Sequence, residues 1–227
     1  MLVKNWMRKP VLTISPKDNM YKARELMNQN NIRTLPVVED NLLVGLLTDR
    51  NLKQAEASNA TSLDVFELRY LLVKIEVANI MTKDPISIPC DTTLSEAAEI
   101  LLEHKLDAVP VMSGKKQLEG ILTSSDVKRA ILTLTAIGRR GIQIGMRLSD
   151  SPGALMQILD VIHDMGARLA SLITVDCFDQ DHQRKAYFHI YSVNREKLMD
   201  LTAALYGKGT LLYMVDLKNG ERHIFNQ

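Results

Sequence analysis

The chain has 227 residues, 46% of them hydrophobic and 24% charged, which suits a folded protein with more than one modest core. Lys and Arg number 28 against 27 Asp and Glu, a formal net charge of +1, so composition argues against a nucleic-acid or membrane-surface binder. Its two cysteines, Cys90 and Cys177, are far apart, as expected of a reduced cytoplasmic protein. No run approaches the roughly 20 apolar residues that span a bilayer, and the first seven residues carry no leader-like apolar core.

Taken in chain order, the first half repeats itself. Trp6-Met7 followed by Pro10 matches Ile80-Met81 followed by Pro85, and Thr13-Ile14 matches Ser87-Ile88. Leu35-Pro36-Val37 matches Val109-Pro110-Val111, and Gly45-Leu46-Leu47-Thr48 matches Gly120-Ile121-Leu122-Thr123. Agreement at several places under one nearly constant offset marks a duplication. Each copy reads as an extended lead-in, a helix, an apolar strand, a polar turn, a second strand and a second helix. The helices carry Met20, Ala23, Leu26 and Met27 in one copy and Leu94, Ala97, Ala98, Leu101 and Leu102 in the other. Residues 63–81 between the copies read as a helical connector, with Asp64 and Glu67 near its start.

From Gly141 the rhythm changes. Ile142, Ile144, Met146 and Leu148 alternate as a strand, and Asp150-Ser151-Pro152-Gly153 opens a helix that Gly166 closes. Two strands, another helix and a strand over residues 211–217 complete a βαββαβ order, a ferredoxin-like plan. The tail after Asn219 is expected to be loosely ordered. Domain boundaries fall at residues 1–60, 61–136 and 137–227.

Two corners could carry chemistry: Gly45…Thr48-x-x-Asn51 and Gly120…Thr123-x-x-Asp126. A strand glycine permits close approach to the backbone. The threonine hydroxyl and first helix amides suit a phosphate, and the oxygen three residues on suits the two hydroxyls of a ribose. The alternative is local: Thr-x-x-Asp is also a helix-capping pattern.

These residues resemble paired CBS domains, which implies a pseudo-symmetric module binding adenine nucleotides (AMP, ADP or ATP) or S-adenosylmethionine as regulatory ligands. The resemblance implies phosphate contacts from Thr48 and Thr123 and ribose contacts from Asn51 and Asp126. Thr13, Ile14, Pro16, Ser87, Ile88, Val37 and Val111 would flank the base. Arg33 and Arg50 would make the first corner the more basic, where the second has Ser124, Ser125 and Lys128 instead. The last segment resembles an ACT domain, through its Asp150-Ser151-Pro152-Gly153 turn and element order. That implies dimerisation and an amino-acid site at Asp150, Ser151, Pro152, Gly153 and Ala154. The order CBS–CBS–ACT is similar to acetoin-utilisation regulatory proteins, so the expected fold class is α/β (α+β).

Nothing else in the sequence competes. The five histidines form no HExxH pattern, and no Walker loop, Gly-x-Ser-x-Gly or dinucleotide fingerprint occurs. Asp176, Cys177, Asp179, Asp181 and His182 read as a polar turn rather than a metal site. Arg139-Arg140 and Lys115-Lys116 read as a linker and a turn tip. The expectation is a homodimeric, cytoplasmic, non-enzymatic sensor with no catalytic residue, metal or cofactor, acting on a partner protein. The alternative is a ligand-independent dimerisation and docking scaffold.

Overall fold

The computed structural model describes residues 1–59, 72–114, 117–176 and 182–225. Lys115, Lys116, Cys177, Asp179, Asp181, Asp64 and Glu67 lie outside the described residues. The chain forms two compact units, residues 1–128 and 129–227.

In the first unit, helix α1 (Met20–Gln29) precedes the hairpin β1 (Thr34–Glu39) and β2 (Leu42–Thr48), then α2 (Asp49–Asn59). The second copy follows as α3 (Val77–Ile80), β3 (Thr82–Lys83), β4 (Ile88–Pro89), α4 (Leu94–Glu103), β5 (Ala108–Ser113), β6 (Gln117–Thr123) and α5 (Ser124–Leu134). The sheet runs β1-β2-β6-β5-β4, with β3 also paired to β2. Local sequence sets the element ends. Asn19 caps α1 by accepting from the Lys22 amide, and Thr93 with Glu96 forms a reciprocal capping box on α4. The β1–β2 turn places Asp40 and Asn41 at φ 50° and 64°, the left-handed pair that a tight hairpin needs. Met20, Ala23 and Met27 are buried on α1, as are Leu94, Ala97 and Leu101 on α4. Leu102, expected on the same apolar face, is instead 80% exposed.

The two copies exchange their lead-in segments. Arg8 bridges to Ile121 on β6 of the second copy, while Thr82 pairs with Leu46 on β2 of the first. Met20 donates its amide to Ile75 and Leu94 donates to Met1 (both 2.8 Å). Leu2 bridges Thr93 just as Glu76 bridges Asn19. Each of these pairs maps onto the other under the sequence repeat. This exchange interrupts the expected connector helix: Ile75 and Glu76 are extended to meet Asn19 and Met20, so the helical turn before them ends at Lys74.

The strand glycines are explained by the exchange. A Cβ on Gly120 would overlap the Met7 sulfur and sit 3.2 Å from the Arg8 carbonyl. A Cβ on Gly45 would overlap the Met81 sulfur and sit 3.1 Å from the Thr82 carbonyl. Gly120→Ala should therefore destabilise the first unit by about 1–3 kcal/mol. The loss should be smaller when Met7→Ala is also present; urea unfolding of the four-member cycle measures this, and purely additive effects would contradict it.

In the second unit, β7 (Ile142–Ser149), α6 (Ala154–Asp164), β8 (Arg168–Asp176), β9 (Gln183–Tyr191), α7 (Leu198–Tyr206) and β10 (Thr210–Asp216) follow the expected βαββαβ order. The sheet is antiparallel in the order β10-β7-β9-β8, the ferredoxin-like arrangement, and β11 (Arg222–Ile224) extends it beside β10. Ile144, Met146, Ile158, Phe188, Ile190 and Leu201 are buried in its core. On the other face, Tyr187 and Tyr213 stack across Gly145, with ring centroids 6.3 Å apart. Leu169, Ile173 and Val175 on the edge strand β8 stay 40–45% exposed.

Strand β11 replaces the loosely ordered tail expected from sequence. Asp216 organises the turn that returns it: its Oδ1 accepts from the Lys218 amide (2.8 Å), and its carboxylate takes a two-pronged bond from Arg195 (2.6 and 3.1 Å). The Arg195 bond is the main reason the Asp216 carboxyl is held below its ordinary value, against the opposing effect of burial. A folded-state pKa below the unfolded one stabilises at neutral pH, and that contribution fades as pH falls past about 4 and through the lowered value. Asp216→Ala should thus cost about 1.5–3 kcal/mol at pH 7. In unfolding curves taken at successively lower pH, its deficit against the parent should narrow; a constant gap would count against the pair.

Candidate functional site

The two strand-to-helix corners have matching geometry. At the first, the Asn51 Oδ1 accepts from the Thr48 amide (2.9 Å) and hydroxyl (2.6 Å), while the Asn51 amide donates to Thr48 Oγ1 (3.2 Å). At the second, the Asp126 Oδ2 accepts from the Thr123 amide (3.1 Å) and hydroxyl (2.5 Å), and its own amide donates to Thr123 Oγ1 (3.2 Å). Both corners are therefore capping boxes as they stand. Their chemistry differs in one atom. Asn51 has a single oxygen, already engaged by Thr48. Asp126 has a second oxygen, and Arg8 occupies it, Nε to Oδ1 at 3.2 Å. Arg8 arrives there because the lead-in strand of the first copy crosses onto β6.

A cleft of about 660 Å³ opens beside this second corner, in the size range of small-molecule sites. Both copies line it: Arg8, Pro10, Leu12, Arg33 and Thr34 from the first, and Asp107, Ala108, Thr123, Ser125 and Lys128 from the second. Three cations and the N-terminal turn of α5 face one space, an arrangement suited to an anionic group. The apolar side chains of Pro10, Leu12 and Ala108 offer a surface for a flat ring.

Of the residues expected to bind nucleotide, the structure brings Thr123 and Ser125 together in this cleft, with Asp126 directly behind Thr123; Arg33, expected at the first corner, lines this cleft as well. Ile14, Val37, Ile88 and Val111 are core side chains, pairing Ile14 with Val37 and Ile88 with Val111 in parallel register, so only their backbones could face a ligand. Pro16 is buried, whereas Thr13, Ser87 and Arg50 are exposed outside the cleft. Arg8 was missed by sequence reasoning. Aligning a duplication with itself shows which residues correspond, but not that the copies trade segments. The paired strand glycines were the available signal.

In the second unit, Gly153 caps α6 at φ 88° with no side-chain cap, and the Ala154 amide donates to the Ser151 carbonyl (3.2 Å). Asp150, Ser151, Pro152 and Gly153 are exposed, and Asp150 pairs with Arg184 at 2.5 Å. Separately, an apolar cavity of about 370 Å³ lies between α7 and the β10–β11 hairpin. No group of three or more His, Cys, Asp or Glu able to hold a metal occurs among the described residues. None of their helices is long and apolar enough to cross a membrane.

Comparison with known proteins matches this geometry. Residues 3–58 and 77–133 match the CBS domain family, so the first half of the chain is a tandem pair of CBS domains. An inosine-5'-monophosphate dehydrogenase from Korarchaeum cryptofilum is 38% identical over 117 residues, 52% of this chain and 21% of that protein. The chain thus spans about a fifth of the curated relatives it matches. Among solved structures, an AcuB protein from Vibrio cholerae, assigned to acetoin utilization, is 26% identical with a TM-score of 0.52, covering 61% of this chain and 95% of that one. The CBS pair of protein MJ0100, solved with 5'-methylthioadenosine and S-adenosyl-L-methionine, is 26% identical with a TM-score of 0.50 over 58% of this chain and 95% of that one.

Because Asp126 is 1% exposed and both caps and pairs, Asp126→Ala should destabilise by about 1–2 kcal/mol or more. Asn51→Ala, which removes only a cap, should cost less. Guanidinium unfolding of the two variants ranks them, and the reverse order would refute this account of the corners.

Proposed function

We propose that the chain is a regulatory metabolite sensor whose CBS pair binds an adenine nucleotide or S-adenosylmethionine and passes its occupancy to a partner protein. The observation that carries this reading is the cleft at Thr123 and Asp126. It joins residues of both repeats, and it combines cations, a helix N-terminus and an apolar wall at nucleotide size. The MJ0100 pair, with its adenosyl ligands, supports the ligand class. Regulation rather than catalysis is supported by matches confined to the CBS part of larger enzymes and to CBS-pair proteins.

The second half is read as an ACT domain on the strength of its ferredoxin-like sheet and the start of α6 after Gly153, which no side chain caps and where an amino-acid carboxylate would sit. Helix α5 begins at the Thr123 corner, and the Thr135 carbonyl just past its end accepts from His189 Nδ1 (2.8 Å) and Ser171 Oγ (3.3 Å). We assign coupling between ligand and second unit to the helix that follows Thr123. A homodimer is supported by the exposed β8 edge and by a groove around Leu101, Leu102, Leu106 and Val127. Its counterpart in the first repeat is polar, with Arg24, Asn28, Asn31 and Arg33. A cytoplasmic location and a role beside acetoin utilisation complete the proposal. The capping bonds at both corners favour one rival, a scaffold that binds no ligand.

Calorimetric titration of the full chain with AMP, ATP and S-adenosylmethionine decides between them. Asp126→Ala should weaken binding by about tenfold or more, roughly 1.4 kcal/mol. Asn51→Ala should do less. Absence of heat with every adenosyl compound, or identical isotherms for parent and both variants, would leave the scaffold.

A further inference from the structure

Asp126 offers the acceptor that a ribose diol needs, yet that acceptor is covered. Its Oδ2 is committed to Thr123 and its Oδ1 to Arg8. The acid side chain is 1% exposed and the arginine 48%, so the guanidinium lies on the solvent side of the carboxylate, lining the cleft. A diol reaching Oδ1 must therefore move Arg8 or share the oxygen with it.

We infer that Arg8 is a latch that makes this cleft selective for adenosyl ligands carrying a phosphate, an inference that rests on the adenine-ligand reading above. The reason is what happens to the displaced guanidinium. A phosphate placed at the start of α5, within reach of Arg33 and Lys128, gives Arg8 a new two-pronged anionic partner. Adenosine or 5'-methylthioadenosine offers none and leaves the released charge with water alone. S-adenosylmethionine brings one carboxylate but also a sulfonium and an ammonium, so it carries a net positive charge into a space lined by three cationic side chains against the single carboxylate of Asp107. The selectivity belongs to one cleft only. Under the repeat, Arg8 corresponds to Thr82 and Asp126 to Asn51, so the first corner has neither the cation nor the second carboxylate oxygen.

Calorimetry with AMP, adenosine, 5'-methylthioadenosine and S-adenosylmethionine tests this, using the full chain in an Asn51→Ala background to isolate the second cleft. AMP should bind about tenfold or more tighter than the three ligands lacking phosphate. Arg8→Ala should weaken AMP while leaving adenosine unchanged or tightened, because its acceptor is uncovered. Arg8→Lys, which keeps the charge without the fork, should fall between them and serves if the alanine variant folds poorly. Equal loss for AMP and adenosine in Arg8→Ala, or tighter binding of a ligand lacking phosphate to the parent, would overturn the latch while leaving the adenine reading intact. Failure of all four ligands to bind the parent would remove both.

Discussion

The CBS pair depends on an exchange. Each repeat surrenders its opening residues to a strand of the other, so Met7 lies over Gly120 and Met81 over Gly45. The thioethers fit only because those strand positions lack a side chain, and the neighbouring carbonyls approach nearly to contact. Strand pairing, burial and the glycine positions are thus one constraint seen three ways. The cleft follows from it, since Arg8, Pro10 and Leu12 reach the second corner on the borrowed strand.

The corners show how one local pattern holds two meanings. Thr-x-x-Asp and Thr-x-x-Asn close their helices by mutual hydrogen bonds, as capping alone requires. What separates the second corner is the spare carboxylate oxygen and the cation that meets it. A neutral asparagine can finish the cap equally well, but it has no second oxygen. The duplication therefore preserved a structural device in both copies while the groups around it diverged.

Much of the fold was legible in the sequence. The repeat fixed two equivalent sets of elements, and alternation from Ile142 onward with the Gly153 and Gly166 breaks gave the βαββαβ order. The site was legible in part. Thr123, Ser125 and Asp126 sit together because the strand-turn-helix signal is local, whereas Arg33, expected at the first corner, lines the cleft beside the second. Arg8 was invisible, because its partner is 118 residues away and only the exchange brings them together. Ile14, Val37, Ile88 and Val111 place their β-branched side chains in the core, which leaves only their backbones to face a ligand. The tail failed for a related reason: residues 218–221 look like a loop end until Asp216 gathers their amides and turns the chain back as β11.

The traded segments also bear on how such a chain could arise. A forerunner with one repeat would have no second hairpin to receive its opening residues and no foreign methionine to fill its glycine groove. It could bury the same surfaces only as two identical chains embracing each other, with two identical pockets. Within one polypeptide the halves are free to differ, as Arg8 against Thr82 and Asp126 against Asn51 do here.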